Sequence, residues 1–531
     1  MGDAYSARSL LEGFIDNARR DRSAPLVRYF DCTLSIGDVD DLSDALACGL
    51  AAAGFARGDR IAIYLQNVPQ YLIALLAVWK AGGIAVAVNP MYRQREVQHL
   101  LTDSGAVGIV ALESLYADVV TDVLREVDIP IVITTSELDL VTDPTAHAVL
   151  AGSSRIDVDD TIDLLSLVER HRGQRPALTL PEPDDVACLV YTSGTTGPAK
   201  GAMNTHGALA FSAGVYRRCL EVTPDDVVLA VAPLFHITGL TAHIAISVMD
   251  AIPMVLMYRF DPALVLEMIE RHRATFTVAS ITVFQALMDH PESRSRDLSS
   301  MRCAYSGGQA VAPATVDAYR AHMGLYIRVA YGLTETTGPT HMVPLDGPNR
   351  IDPATGAMSV GRTGIGLTCR IVDEAGGEVP VGAIGEVVVQ GDQIVPGYWR
   401  KEAETANAMR NGWFHTGDVG YVDADGWLFL VDRKKDQINA GGYKIWPREV
   451  EDVLYEHSAV REAAVVGVPD TYRGETVKAF VSLRRGAEAS VEELIAHCRE
   501  RLAAFKAPRQ IEILDDLPKT ASGKILRRSL R

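Results

Sequence analysis

The chain has no Cys-x-x-Cys pair. Its seven cysteines (Cys32, Cys48, Cys188, Cys219, Cys303, Cys369 and Cys498) are scattered, odd in number and never at metal-ligand spacing to a histidine. That excludes a disulfide framework or a zinc cluster and predicts a reduced, cytoplasmic protein with buried thiols. No basic stretch followed by an apolar run opens the sequence, so no secretory signal is expected. Met1–Ser6 fits the short myristoylation pattern only formally, and Ser529-Leu530-Arg531 is not a peroxisomal address. Two apolar runs fall short of the roughly 20 uncharged residues a membrane span requires. Tyr71–Val88 is broken by Lys80 and Ala81-Gly82-Gly83, and Ile237–Met257 carries His243, Asp250 and Pro253; no integral membrane segment is expected. Basic residues are in deficit, 51 Lys and Arg against 68 Asp and Glu for a net charge of −17, which argues against nucleic acid or an anionic membrane as partner. There is no Gly-x-Ser-x-Gly elbow, and Gly361–Gly366 lacks dinucleotide-binding spacing.

What the chain does have is Tyr191-Thr-Ser-Gly-Thr-Thr-Gly-Pro-Ala-Lys-Gly201, directly after the apolar run Val186–Val190. Glycines let a backbone approach a ligand closely. Successive N–H groups with Ser and Thr hydroxyls form a nest for phosphate oxygens, and Lys200 adds positive charge. The segment is expected to hold a nucleoside polyphosphate. It is not a Walker loop, because Ala199 precedes the lysine and Gly201 follows it.

Four further signals lie downstream: Tyr331-Gly-Leu-Thr-Glu-Thr336, Trp413-Phe-His-Thr-Gly-Asp418, the charge cluster Asp432-Arg-Lys-Lys-Asp436 followed by Gly441-Gly442, and Pro518-Lys-Thr-Ala-Ser-Gly-Lys524. Each alone is weak. Together, in this order and over essentially the whole chain, they resemble the adenylate-forming superfamily of acyl-CoA synthetases, luciferases and peptide-synthetase adenylation domains.

A length of 531 residues calls for at least two domains. Helical and strand patterns alternate early: helical at Leu42–Ala53 and Pro69–Lys80, strand at Arg60–Leu65 and Ile84–Val88, which implies parallel sheets covered by helices. Asp139–Pro183 is polar and is expected to run over the surface. His206–Leu220 reads as helix and Asp226–Val231 as strand, a loop-then-helix order of the kind that places phosphate at a helix N-terminus. From Val360 to Val431 short strands separated by Gly and Asp turns predict a small barrel-like β region. Beyond the charge cluster come a helix at Trp446–Tyr455, strands at Val460–Val468 and Val477–Leu483, and a helix at Val491–Arg501. The boundary is read at the cluster, giving domains 1–432 and 433–531. The resemblance implies the same α/β plan: a large N-terminal domain of two α/β layers plus a β barrel, and a small mobile C-terminal α+β domain.

That family joins a carboxylic acid to a thiol in two steps, because hydroxide is too poor a leaving group for direct thioester formation. The acid first attacks the α-phosphate of ATP and pyrophosphate leaves; CoA then takes the acyl group. Two anions about 4 Å apart in an effective dielectric of about 20 repel by roughly 4 kcal/mol, so a cation must be supplied. The resemblance implies that Lys524 does this, contacting the carboxylate and the α-phosphate. It implies that Thr192, Ser193, Gly194, Thr195, Thr196, Gly197 and Lys200 cradle the β- and γ-phosphates. Glu335 would bind Mg²⁺, a hard cation that prefers oxygen, and Thr334 would contact the α-phosphate. Tyr331 would stack on adenine beside Gly307 and Gly308. Asp418 would accept from both ribose hydroxyls, supported by Arg433. Lys435 would be the hinge between half-reactions and Gly442 would line the pantetheine tunnel.

The acid pocket implied comprises His236–Gly239, Ala279–Thr282, Ser306–Gly308 and Gly338–His341, with His236, Thr238, Gly239, Ile281, Ser306 and Gly338 as its chief positions. Apart from histidines these segments are uncharged, which favours an apolar monocarboxylic acid, medium- to long-chain fatty or aryl-alkyl, over a dicarboxylate. Thr238 and Gly239 stand where some relatives carry aromatics and are expected to leave room. Ile281 and Gln309-Ala310 replace prolines of many relatives, which affects fine specificity. A stand-alone acid–CoA ligase is the first reading. A carrier-loading adenylation enzyme, a luciferase-like oxygenase and a non-catalytic nucleotide-binding regulator are the others, and Lys524 argues against the last. A homodimer is compatible with a sequence that fixes no oligomeric state.

Overall fold

A computed structural model describes residues 8–192, 198–353, 356–433, 436–440, 443–470, 473–520 and 523–530. The expected alternation is present. Helices Ile36–Ala52 and Pro69–Lys80 and strands Arg60–Tyr64 and Ile84–Ala87 build a seven-stranded sheet, whose last two strands are Val186–Thr192 and Lys200–Thr205. All twelve residues of Pro69–Lys80 are buried. The charge in that apolar helix is met locally: Lys80 Nζ donates to Asp40 Oδ1 at 2.7 Å and to Asp44 Oδ1 at 2.6 Å.

A second, larger sheet carries the parallel neighbours Val228–Ala230, Phe276–Ala279, Cys303–Ser306 and Ile327–Leu333. Ile327–Leu333 is the turning point: it is parallel to Cys303–Ser306 on one edge and antiparallel to Gly338–Met342 on the other. From there the sheet continues antiparallel through Gly361–Thr363, Trp427–Arg433, Trp413–Val422, Gly385–Gly391 and Leu367–Val372, which is the β region expected between Val360 and Val431. A continuous apolar core joins both sheets. The C-terminal part has its own core, formed by a five-stranded sheet with helices Pro447–Tyr455 and Val491–Arg501 packed on it.

Among the described residues no helix is long and apolar enough to cross a membrane. Tyr71–Val88 folds as helix, turn and strand. Ile237–Met257 passes through a π-helical stretch, Leu240–Ala245, before the strand Met254–Leu256. One expectation changes. The phosphate segment does not lead straight into a helix: it joins two antiparallel strands, with Tyr191 opposite Gly201 and Thr192 opposite Lys200. The helix His206–Cys219 starts only after the second strand, capped by Thr205 Oγ1 accepting from the Ala208 N–H.

Candidate active site

Parallel strands direct their following loops to one edge, where ligands of such sheets bind. Here Ala279, Ser306 and Val329 stand side by side in register. The loops that follow these strands are Ser280–Thr282, Gly307–Gly308 and Thr334–Thr336, all at that edge. Gly308 takes φ +84°, open to glycine, and a Cβ on Gly307 would meet the Ala330 carbonyl oxygen at 3.2 Å. Thr334–Thr336 is a single 3₁₀ turn ended by Thr337 in the left-handed region, φ +46°. Two amides fix it: Asn204 Nδ2 donates to the Thr334 carbonyl at 3.0 Å, and Gln393 Nε2 to those of Thr336 and Pro339 at 2.8 and 2.9 Å.

Tyr331 and Asp418, expected to take adenine and ribose, are brought together: the phenol donates to Asp418 Oδ2 at 2.7 Å, and both residues are buried. Arg433 lies opposite Asp418 in the neighbouring strand. Glu335 Oε1 accepts from the Tyr398 hydroxyl at 2.8 Å, and the Lys200 ammonium lies 4.6 Å from the centre of the same tyrosine ring. Thr192 ends its strand beside Lys200, its hydroxyl donating to the Lys200 carbonyl at 3.5 Å. Ser193–Gly197, Lys435 and Gly442 lie outside the described residues.

The lysine loop reaches this edge from the C-terminal part. Thr520 and Lys524 exchange backbone contacts, Thr520 N–H to the Lys524 carbonyl at 2.7 Å and Lys524 N–H to Thr520 Oγ1 at 3.1 Å. Gly523, at φ +79°, is pressed so closely on the loop after Phe276–Ala279 that a Cβ would meet Thr282 Oγ1 at 2.3 Å and Ser280 Oγ at 2.8 Å. Lys524 is near enough to His236 to act on its titration. Burial first, then the Lys524 charge, pulls His236 down to about 4. His236 Nδ1 accepts from the Thr238 N–H at 3.2 Å, so the neutral ring carries its proton on Nε2. Burial likewise holds His341 at about 3 and His243 at about 4. The histidines of the acid segments are therefore uncharged near neutrality.

Ile281 is buried at the start of its helix, and Ser306 Oγ is buried without a hydrogen-bond partner. Gly338, φ +121°, abuts a polar wall: its Cβ would meet Ser212 Oγ at 2.3 Å. Gly239 corrects an expectation. Its Cβ would meet the Pro233 carbonyl oxygen at 2.1 Å, so its smallness serves close packing against the chain's own backbone and opens no space for an acid. Sequence reasoning missed Tyr398, Asn204 and Gln393, whose partners are far away in the chain and whose residue types carry no local signal. It also missed Arg527. Its guanidinium lies between Glu451 (2.6 Å), Asp432 (3.2 Å) and Asp436 (3.6 Å), just beyond the lysine loop.

The model of the AMP-binding enzyme family matches residues 14–399, and that of the AMP-binding enzyme C-terminal domain matches residues 449–524. The chain is 37% identical over 526 residues to the long-chain-fatty-acid–CoA ligase of Bacillus subtilis (strain 168), covering 97% of this chain and 92% of that one. It is 35% identical over 522 residues to the feruloyl-CoA synthase of an Amycolatopsis species, covering 97% of each. Among solved structures it is similar to o-succinylbenzoate CoA synthetase from Bacillus subtilis in complex with its acyl-adenylate intermediate, with TM-score 0.82, 30% identity and 98% and 97% of the two chains covered. With both family models matched in order and relatives aligned along nearly its whole length, the chain belongs to the AMP-binding enzyme family.

Proposed function

We propose that the chain is an ATP-dependent acid–CoA ligase. It activates a medium- or long-chain fatty or an aryl-alkyl monocarboxylic acid as an acyl-adenylate with release of pyrophosphate, then passes the acyl group to the CoA thiol. The observation that carries this reading is the seating of the Gly523–Lys524 loop on Ser280 and Thr282 beside His236. It puts a cation where acid and nucleotide have to meet. Lys524 offsets the repulsion between the carboxylate and the α-phosphate. Tyr331 and Asp418 supply the adenine and ribose corner, Arg433 supports the sugar, and the 192–200 segment takes the β- and γ-phosphates. The oxygen donors of Glu335 and Thr334 suit Mg²⁺, which favours a few carboxylates and keeps phosphate and water as its other ligands; bound there, the ion would neutralise the departing pyrophosphate.

CoA needs no dedicated nucleophile on the protein, since its thiol, with a pKa of about 8.5, supplies thiolate and an acyl-adenylate is a strong electrophile. Burial raises the titration of each of the seven free cysteines, which fits structural thiols and a cytoplasmic setting. Neutral pocket histidines leave nothing but Lys524 to pair with a carboxylate, which supports a monocarboxylic substrate. Domains 1–432 and 433–531, a hinge at Lys435 and a pantetheine path past Gly442 belong to the same proposal. The test is a panel of alkanoic, arylalkanoic and hydroxycinnamic acids scored for AMP release with ATP, with and without CoA. Acid-dependent AMP release that requires CoA supports a ligase. Turnover with a carrier protein only, or oxygen uptake with light emission, replaces it with one of the alternatives.

A further inference from the structure

We propose that Tyr398 is a positioning residue of the adenylation step, its ring carrying the Lys200 ammonium and its hydroxyl the Glu335 carboxylate, so that these opposite charges meet the nucleotide and its metal rather than each other. The inference rests on the reading of Lys200 and Glu335 given above. A lysine and a glutamate facing one site without a ligand attract, and an ion pair between them would have to be broken each time ATP binds. No such pair is present. The ammonium sits 4.6 Å from the ring centre and the carboxylate accepts from the phenol at 2.8 Å. A cation over an aromatic face is held loosely enough to be passed on. A hydrogen bond to one carboxylate oxygen leaves the other lone pairs for a metal.

The segment bearing Tyr398 is stitched to both charges' own elements. Trp399 N–H donates to the Gly201 carbonyl at 2.8 Å and Met203 N–H to that of Gly397 at 3.1 Å, which ties it to the strand of Lys200. Val395 N–H donates to the Glu335 carbonyl at 2.9 Å, which ties it to the turn of Glu335. Tyr398 N–H donates to Thr405 Oγ1 at 2.9 Å, and a Cβ on Gly397 would meet Thr405 Cγ2 at 2.4 Å, so glycine is needed to press the tyrosine down. Burial, then Glu335, raises the phenol's titration well above the ordinary tyrosine range, and it stays a donor at any working pH.

Equilibrium binding of ATP to the full-length chain, titrated by calorimetry without acid and with or without Mg²⁺, tests this. Tyr398→Phe keeps the ring and loses the donor. It is expected to bind metal-free ATP as the wild type does, and to lose about tenfold of the affinity that Mg²⁺ adds, the scale of one hydrogen bond to a charged group. Tyr398→Leu loses both contacts and should weaken metal-free ATP as well. Glu335→Gln in the parent chain separates the two levels of argument. If it abolishes the Mg²⁺ gain while a Tyr398→Phe chain with a normal melting curve retains it, the role of Tyr398 is overturned and the reading of Glu335 stands. If Glu335→Gln leaves the gain intact, that reading falls and the inference with it. Should Tyr398→Phe fail to fold, Thr405→Val loosens the same tyrosine, and an unchanged Mg²⁺ gain there overturns the proposal.

Discussion

Lys524 is asked for charge stabilisation in one step only, since the second step brings a neutral mixed anhydride to a thiolate. Lys524→Ala is therefore expected to slow acyl-adenylate formation by about 10²–10³, the usual cost of one preorganised charge-stabilising donor, and to leave conversion of supplied acyl-adenylate to thioester near the parent rate. Measured separately, equal losses in both steps would refute the assignment. His341 offers a test of its buried surroundings. Burial holds it at about 3, whereas an unfolded histidine titrates at about 6.5. Between those values the unfolded chain binds the proton that the folded chain refuses, so the contribution of the neutral ring is complete above about pH 6.5 and is lost as pH falls toward 3. The melting-temperature advantage of the parent over His341→Gln should be largest near pH 7 and shrink by pH 5. A constant difference would mean that the ring titrates alike in both states.

At the scale of elements, hydrophobic period was a sound guide. Pro69–Lys80, Val491–Arg501 and the strands on either side of the charge cluster form as their patterns predict, because each buries the face that its spacing marks. The 192–200 segment shows the limit. Glycines and hydroxyls mark a phosphate nest, but the following residues pair back as a strand before any helix starts. Local composition carries no trace of that, since the choice depends on a free sheet edge. Tyr331, Asp418, Glu335 and Lys524 were legible because motifs carry them. Tyr398 was not, its two partners being supplied by elements remote in sequence. Arg527 belongs with it, and Arg527→Gln would leave Glu451 and Asp432, whose side chains are 8% and 5% exposed, facing each other without their cation. Removing one member of a buried pair costs about 3–5 kcal/mol; with 23% of its own side chain exposed, Arg527 belongs at the lower end. Because Asp432 lies on the strand of the large sheet and Arg527 three residues past Lys524, the first half-reaction should fall more than the second. Loss of stability with both steps slowed alike would make the cluster a structural support only.

For the whole molecule, the question is what holds the small C-terminal part over the large one with its lysine at the acid. Few contacts across this junction are specific. Arg448 donates to the carbonyls of Leu430 and Met358 at 3.0 and 3.4 Å, and Gln285 Nε2 donates to that of Arg461 at 3.2 Å. Such polar, sparse junctions allow domains to move relative to one another. The closest approach is Gly523 on Ser280 and Thr282, where the left-handed φ and the absent Cβ are both required. Gly523→Ala is thus expected to push the lysine loop off its seat without touching the nucleotide corner. Adenylation should drop by at least about tenfold, which is about 1.4 kcal/mol of barrier, while supplied acyl-adenylate is still turned into thioester. Combining it with Thr282→Ala removes the nearer clash and should restore part of the lost rate, the remainder reflecting strain at φ +79°. If Gly523→Ala adenylates as fast as the parent, the arrangement seen here is not the one in which the acid is activated, and Lys524 reaches it by another approach of the small domain.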